Sequence, residues 1–176
     1  MSDTVKVHTD NIREAAKTLR AGDSILLSGT VYTARDAAHK RICALLAEGK
    51  NIPFELKDAV IYYAGPTPAP EGRPIGSCGP TTSSRMDGFA PTLYDRGLAA
   101  TVGKGGRSDG VVEALVRNGA LYLCAVGGAG AIAAKAIQSV EVIAFPELGC
   151  EAVRRMEVKD FPLIVGIDAN GNSALK

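Results

Sequence analysis

The sequence predicts an α/β fold on a mixed sheet. Short apolar runs of strand length alternate with segments of helical periodicity along the chain. The run Ala120-Leu121-Tyr122-Leu123-Cys124-Ala125-Val126 is apolar throughout, as a strand covered on both faces must be. Asn170-Gly171 is a hairpin turn signal, which implies an antiparallel component. Few aromatic residues and many Ala, Gly and Val suit closely packed layers.

Val5-Lys6-Val7-His8 predicts a short strand. Thr9 or Asp10 caps a helix running to about Arg20, with Ile12, Ala15, Ala16 and Leu19 on one face and Gly22 as the stop. Ser24-Ile25-Leu26-Leu27-Ser28 reads as a buried strand ended by Gly29. Thr33 and Asp36 have the spacing of a capping box, with Asp in place of Glu or Gln. The helix that follows turns Ala38, Ile42, Leu45 and Leu46 inward and stops at Gly49. Ala59 to Ala64 is a strand, ended by Gly65-Pro66, and the proline-rich Thr67 to Pro74 is extended and mobile without a ligand. A short helix over Ala90 to Arg96 and a strand over Leu98 to Val102 come next. Ser108 then caps a helix ending near Asn118-Gly119. After the apolar strand, Gly127-Gly128-Ala129-Gly130-Ala131 leads into an alanine-rich helix to Gln138. A strand over Val140 to Phe145, a helix from about Cys150 to Met156 and a strand over Leu163 to Asp168 complete the chain. There is no internal repeat.

A chain of 176 residues suits one domain, 1–176, with one core. A net charge of +1 argues against nucleic acid or an anionic membrane as partner. No apolar run reaches membrane-spanning length, and Met1-Ser2-Asp3-Thr4 is not the start of a signal peptide, so the expected location is cytoplasmic. Cys43, Cys78, Cys124 and Cys150 form no CxxC pair. No self-contained zinc or iron–sulfur ligand set is expected from them. Cys124 reads as core and Cys78 as a packed thiol rather than a nucleophile. His8 and His39 are too scattered to suggest a metal site, and no metal-binding residue is expected.

The richest stretch runs from Ile75 to Gly88, through Gly79-Pro80-Thr81-Thr82-Ser83-Ser84-Arg85-Met86-Asp87. Gly79-Pro80 marks a turn, after which Thr81 or Thr82 can cap a helical turn. Orphan N–H groups and hydroxyls there would form an anion cradle, to which Arg85 adds a planar fork suited to a carboxylate or phosphate. An ordinary Ser/Thr-rich surface loop is the competing reading. Two further features favour the cradle. Lys104-Gly105-Gly106-Arg107 is a basic, glycine-rich strand-to-helix turn of the kind that holds anions. Arg35 opens a helix at its positive end, a cost that a bound anion would offset; a pair with Asp36 is the bland alternative. His39, one turn on, reads as a solvated helix histidine lying behind Arg35.

Two other functions compete. Gly128-Ala129-Gly130-Ala131-Ile132-Ala133 matches the dinucleotide fingerprint, with Glu147 placed as a ribose-binding carboxylate, so a nucleotide-binding module is the rival. Fewer than 50 residues follow the motif, and small residues there equally allow close helix–strand packing. A catalytically empty subunit that only binds a partner is the third reading.

Four segments resemble one family: Gly29 to Asp36, Tyr62 to Pro66, Gly79 to Asp87 and Gly103 to Ser108. The sequence is similar to the class I, iron–sulfur-dependent fumarate hydratases and L-tartrate dehydratases, in their C-terminal domain or separate β subunit. The resemblance covers nearly the whole chain and is strongest from Tyr62 to Ser108. The later Ala125 to Ile132 stretch shares it, which weakens the dinucleotide reading. It implies a swivelling β/β/α domain of three layers, with a central mostly parallel sheet and a smaller antiparallel one. The implied reaction is reversible hydration of a C4 dicarboxylate, fumarate to (S)-malate, or else L-tartrate dehydration. The implied cofactor is a [4Fe–4S] cluster held by a partner α subunit, in a dimer of α/β pairs. By motif, Arg35, Arg85, Lys104 and Gly79 would bind substrate. Thr81 and Thr82 would lie at the reacting carbons, with Thr81 the candidate base, and His39, Asp36 and Asp87 would stand behind them.

Overall fold

The computed structural model describes residues 3–126 and 129–175. The strands are β1 (Val5–His8), β2 (Ser24–Thr33), β3 (Val60–Tyr62), β4 (Ala100–Gly103), β5 (Leu121–Ala125), β6 (Ile137–Ala144) and β7 (Val153–Ile167). The α-helices are α1 (Ile12–Ala16), α2 (Asp36–Ala47), α3 (Ala90–Asp95), α4 (Asp109–Asn118) and α5 (Ala129–Ala136). Short 3-10 turns cover Thr9–Asn11, Ser83–Met86 and Pro146–Glu151. No helix among the described residues is long and apolar enough to cross a membrane.

The fold is mixed α/β, as expected. Strands β1 to β5 run parallel to their neighbours, whereas β7 pairs antiparallel with β2, β5 and β6. The pairings close on themselves through β2, β3, β4, β5 and β7. The antiparallel part is therefore continuous with the parallel part, because β2 and β7 are long enough to serve several partners. Alternate residues of β3 feed two apolar cores. Val60 and Tyr62 join a core with Leu27, Val102, Leu123 and Phe161, while Ile61 packs with Ile42, Leu93 and Leu115 from the helices.

Local signals place α4 well. Ser108 accepts a hydrogen bond from the Val111 N–H (3.4 Å), and Gly119 closes the helix in the left-handed region at φ 60°. Other expectations need correction. Helix α1 stops at Ala16, short of Arg20. Gly29 does not end β2; it takes φ 115° at a bulge opposite β7, and the strand continues to Thr33. Thr9 Oγ1 fills the space its side chain would occupy. Residues 150–156 are not a helix: the 3-10 turn gives way to β7, whose Val153, Met156 and Val158 point inward. The spacing there fits either element, and pairing with β2 and β6 decides. The antiparallel character comes from β7, not from a terminal hairpin. Asn170-Gly171 is a turn held by the Asp168 carboxylate, which accepts from the N–H groups of Asn170 (2.9 Å) and Asn172 (3.0 Å). Among the described residues a single bridge, Ile167 to Ser173, follows.

Candidate functional site

Three neighbouring parallel strands, β2, β3 and β4, end side by side, and the chain leaves each carboxyl end through a loop. Parallel α/β sheets, open or closed, bind ligands at such ends. The segment after Pro80 returns across them, held by isolated bridges. Ala64 bridges Pro80, the Thr81 N–H donates to the Tyr63 carbonyl (2.7 Å), and Thr82 bridges Lys104. The Ser83 N–H donates to the Lys104 carbonyl (2.9 Å), and the Lys104 N–H donates back to Ser83 Oγ (3.0 Å). Thr81, Thr82 and Lys104 are thus brought together, with Thr82 and Lys104 exposed and Thr81 half-buried.

This stitch depends on residues that motif reading missed. Ser83 is fully buried and lies within 2.9 Å of the Tyr122 hydroxyl. It occupies the space where Gly103 lacks a side chain, with Tyr63 Cδ2 at 3.0 Å from the same point. The available signal was the run of four hydroxyl residues, 81–84, of which only Ser83, the first residue of the 3-10 turn, is buried.

At the end of β2 the capping box does not form. Thr33 remains in the strand, where its hydroxyl donates to the Ala152 carbonyl (3.4 Å) and accepts from the Arg154 N–H (3.1 Å). Arg35 takes the N-cap position of α2 with no side-chain cap. Asp36, the first helical residue, pairs with Arg85: its Oδ2 lies 3.1 Å from Nε and 3.0 Å from Nη2. Half-exposed, this pair contributes little stability, but it fixes one edge of the Arg85 fork and leaves the other free. Arg35 does not pair with Asp36. Among the described residues neither Arg35 nor Lys104 has a carboxylate partner.

His39 is not a solvated helix residue. It is fully buried, stacked on Phe89 and edge-on to Tyr63. Its Nδ1 lies 2.8 Å from the Arg35 carbonyl. A carbonyl only accepts, so Nδ1 carries the hydrogen and Nε2 is bare. Burial drives the pKa down to about 4, against the opposing effect of the Arg35 carbonyl, so the ring is neutral. Among the described residues, His39 Nε2, Arg35 Nε and Asp36 Oδ1 are buried without hydrogen-bond partners, all within one turn at the start of α2.

The basic turn after β4 divides in two. Lys104 faces outward, but the Arg107 side chain has no exposed surface. Its Nε donates to Asp87 Oδ1 (2.7 Å), Nη1 to Thr101 Oγ1 (3.1 Å) and Nη2 to the Tyr63 hydroxyl (3.2 Å). It also lies over the Tyr63 and Tyr122 rings. Burial opposes its charge, but Tyr63, Tyr94 and Asp87 outweigh that and raise its pKa. Asp87 Oδ2 accepts from the Ser108 N–H (2.7 Å). Arg107 is therefore an internal fastener joining the 83–87 turn to α4, and it cannot hold an external anion.

Cys78 is the packed thiol expected, fully buried and pushed by burial up to about 12. Cys124 is only half-buried, less enclosed than a core residue. Among the described residues no three His, Cys, Asp or Glu side chains converge to hold a metal ion.

Of the dinucleotide fingerprint, Gly128 lies outside the described residues. Gly130 approaches Gly79 closely, its carbonyl accepting from the Cys78 N–H (3.3 Å), and Ser77 Oγ fills the space beside it. Glu147, the supposed ribose ligand, is paired with Arg41. Close packing accounts for Gly130, and the nucleotide-binding reading is not favoured.

The chain matches the model of the family described as Fumarase C-terminus over residues 1–176. It is 42% identical over 165 residues to "Fumarate hydratase 2" of Leishmania major, covering 93% of this chain and 29% of that protein. It is 43% identical over 148 residues to "Fumarate hydratase class I, anaerobic" of Escherichia coli, covering 83% and 27%. It is 38% identical over 167 residues to the Methanocaldococcus jannaschii protein named "Putative L(+)-tartrate dehydratase subunit beta", covering 92% and 86%. The chain thus spans less than a third of the two fumarate hydratases and most of the length of the third relative.

Proposed function

The chain belongs to the Fumarase C-terminus family, and from that premise we propose that it is the β subunit or C-terminal domain of a hydro-lyase. In this reading it adds water reversibly to fumarate. One observation carries the reading: Arg35, Thr81, Thr82, Arg85 and Lys104 lie at the ends of β2, β3 and β4, where, among the described residues, the Arg35 and Lys104 charges have no carboxylate partner and Asp36 holds only one edge of Arg85. A C4 dicarboxylate carries two negative charges, and three cations can hold both ends.

Arg35, Lys104 and the free edge of Arg85 bind the carboxylates, beside the Gly79 turn. Thr81 and Thr82 lie against the reacting carbons, and the Thr81 hydroxyl moves the proton. Proton loss beside a carboxylate builds charge on it, which a preorganised arginine stabilises more in the transition state than in the ground state. A threonine hydroxyl is a weak base unless cations stabilise its alkoxide, and Arg85 and Lys104 are the nearby charges. Asp36 orients Arg85, His39 steadies the Arg35 backbone, and Asp87 anchors the turn through Arg107.

The residues of this chain do not fit a [4Fe–4S] cluster. Cys78 is buried and protonated, Cys43 and Cys124 are half-buried, Cys150 is exposed, and among the described residues no three of the His, Cys, Asp or Glu side chains converge. In this reading the cluster resides in a partner α subunit, where it supplies Lewis-acid chemistry. The swivelling β/β/α arrangement and the dimer of α/β pairs belong to the same proposal, supported by the family resemblance, while the single domain 1–176 and the cytoplasmic location rest on length and hydropathy.

L-tartrate dehydration is the second reading. The similar length of the relative named as a tartrate dehydratase subunit favours it. Co-expression with the cluster-bearing subunit and assay on fumarate and L-tartrate tests both. The assembled pair is expected to turn over fumarate and the isolated chain neither substrate. An assembled, cluster-loaded pair inert on both would overturn the proposal.

A further inference from the structure

We propose that Gly65 is a positioning residue that acts through Arg35. The missing side chain at Gly65 is the space in which the Arg35 guanidinium lies. This inference rests on the carboxylate-binding role proposed for Arg35.

A Cβ placed on Gly65 would stand 2.8 Å from Arg35 Nη1, 3.1 Å from Arg35 Cδ and 3.1 Å from the Cys150 carbonyl oxygen. The φ of Gly65 lies outside the left-handed region, so no positive φ calls for glycine there. Space, not conformation, calls for glycine. Neither backbone that faces this space moves freely. The Arg35 carbonyl accepts from the His39 N–H (2.9 Å) and from His39 Nδ1 (2.8 Å). The Ala34 N–H donates to the Tyr62 carbonyl (3.2 Å), and the bridge from Ala64 to Pro80 holds the residue before Gly65. On the far side, the Cys150 carbonyl accepts from Arg154 Nη1 (3.2 Å). A methyl group at position 65 is therefore caught between a held carbonyl and a side chain, and the side chain gives way.

The Arg35 side chain has little else to hold it. Among the described residues it makes no ion pair, and its Nε is buried with no hydrogen-bond partner. Arg85 differs, because Asp36 grips its Nε edge. The direction of the Arg35 fork is thus set by the shape of the cavity it lies in, and Gly65 forms that wall. Displacement by a fraction of a methyl diameter misaims a bidentate donor whose value depends on geometry.

The test is a double-mutant cycle in the enzyme assembled with its cluster-bearing subunit, using Gly65→Ala and Arg35→Ala. Gly65→Ala alone is expected to raise KM for the C4 dicarboxylate about ten- to hundredfold. In the Arg35→Ala background the same change is expected to alter KM by less than about twofold, because the clash partner is gone. Melting temperature is read in parallel. Any loss of stability from Gly65→Ala should be relieved by Arg35→Ala, which keeps the test valid if the single variant folds poorly. Equal losses in both backgrounds, or an unchanged KM in Gly65→Ala, would overturn the inference and leave the hydro-lyase reading standing. An inert wild-type assembly would instead overturn that reading; melting additivity would still decide whether Gly65 makes room for Arg35.

Discussion

Replacing Asp87 by alanine should unfasten the turn that carries Thr81, Thr82 and Arg85. Asp87 leaves the 3-10 turn over Ser83–Met86 and grips Arg107 with one oxygen and the Ser108 N–H with the other, both at 2.7 Å. The Arg107 side chain has no exposed surface and that of Asp87 is 14% exposed, so the pair is screened far less than a surface pair. Removing one member of a buried pair strands the other charge, which costs about 3–5 kcal/mol. Here the Tyr63 and Tyr122 faces and two hydroxyl acceptors remain around the guanidinium. That places the expected loss near the lower bound, roughly 3 kcal/mol. For a chain of this length the loss corresponds to a drop in Tm of about 6–12 °C. Thermal and urea melts followed by circular dichroism read it directly. Adding Arg107→Met removes the stranded charge and should recover most of the loss, since apolar replacement of a buried pair is often neutral. An Asp87→Ala protein melting within about 2 °C of wild type would refute the argument. So would a double variant less stable than Asp87→Ala alone, because the arginine would then be stabilising without its partner.

Three further outcomes are expected. His39 is neutral in the fold, with a pKa of about 4 against 6.5 in the unfolded chain. Its contribution is therefore full above pH 6.5 and lost as pH falls toward 4, a change of roughly 3 kcal/mol. His39→Gln should flatten the dependence of stability on pH in that window, and an unchanged slope would exclude His39 as its source. Gly103→Ala drives a methyl group into Ser83 Oγ and Tyr63, so it should cost about 1–3 kcal/mol and loosen the Ser83–Lys104 stitch. A wild-type urea midpoint would refute that. Thr81→Ala should leave Tm within a few degrees, since the Thr81 contact to Tyr63 is made by the backbone N–H, yet abolish proton exchange at the substrate carbon. Normal exchange would reduce Thr81 to a spacer.

Local patterns along the chain suffice wherever the physics is local. Ser108 before and Gly119 after an amphipathic stretch define α4, because capping and left-handed closure need only neighbouring residues. The continuous apolar run marks β5, and most of the alternation of strands and helices is legible in the same way. The motif segments also group Arg35, Thr81, Thr82, Arg85 and Lys104 as candidates, although they lie up to 69 residues apart. Tertiary structure decides the rest. Gly29 reads as a stop until β7 pairs through it at a bulge. Residues 150–156 fit a helix until β2 and β6 offer hydrogen bonds on both sides. Arg107 and Lys104 look alike in one basic turn, but Asp87, Tyr63 and Tyr122 draw Arg107 inside. His39 reads as solvated until Phe89 and Tyr63 cover it. Whether a charge is free to meet a ligand depends on partners supplied from distant parts of the chain, and spacing within one segment carries no information about them.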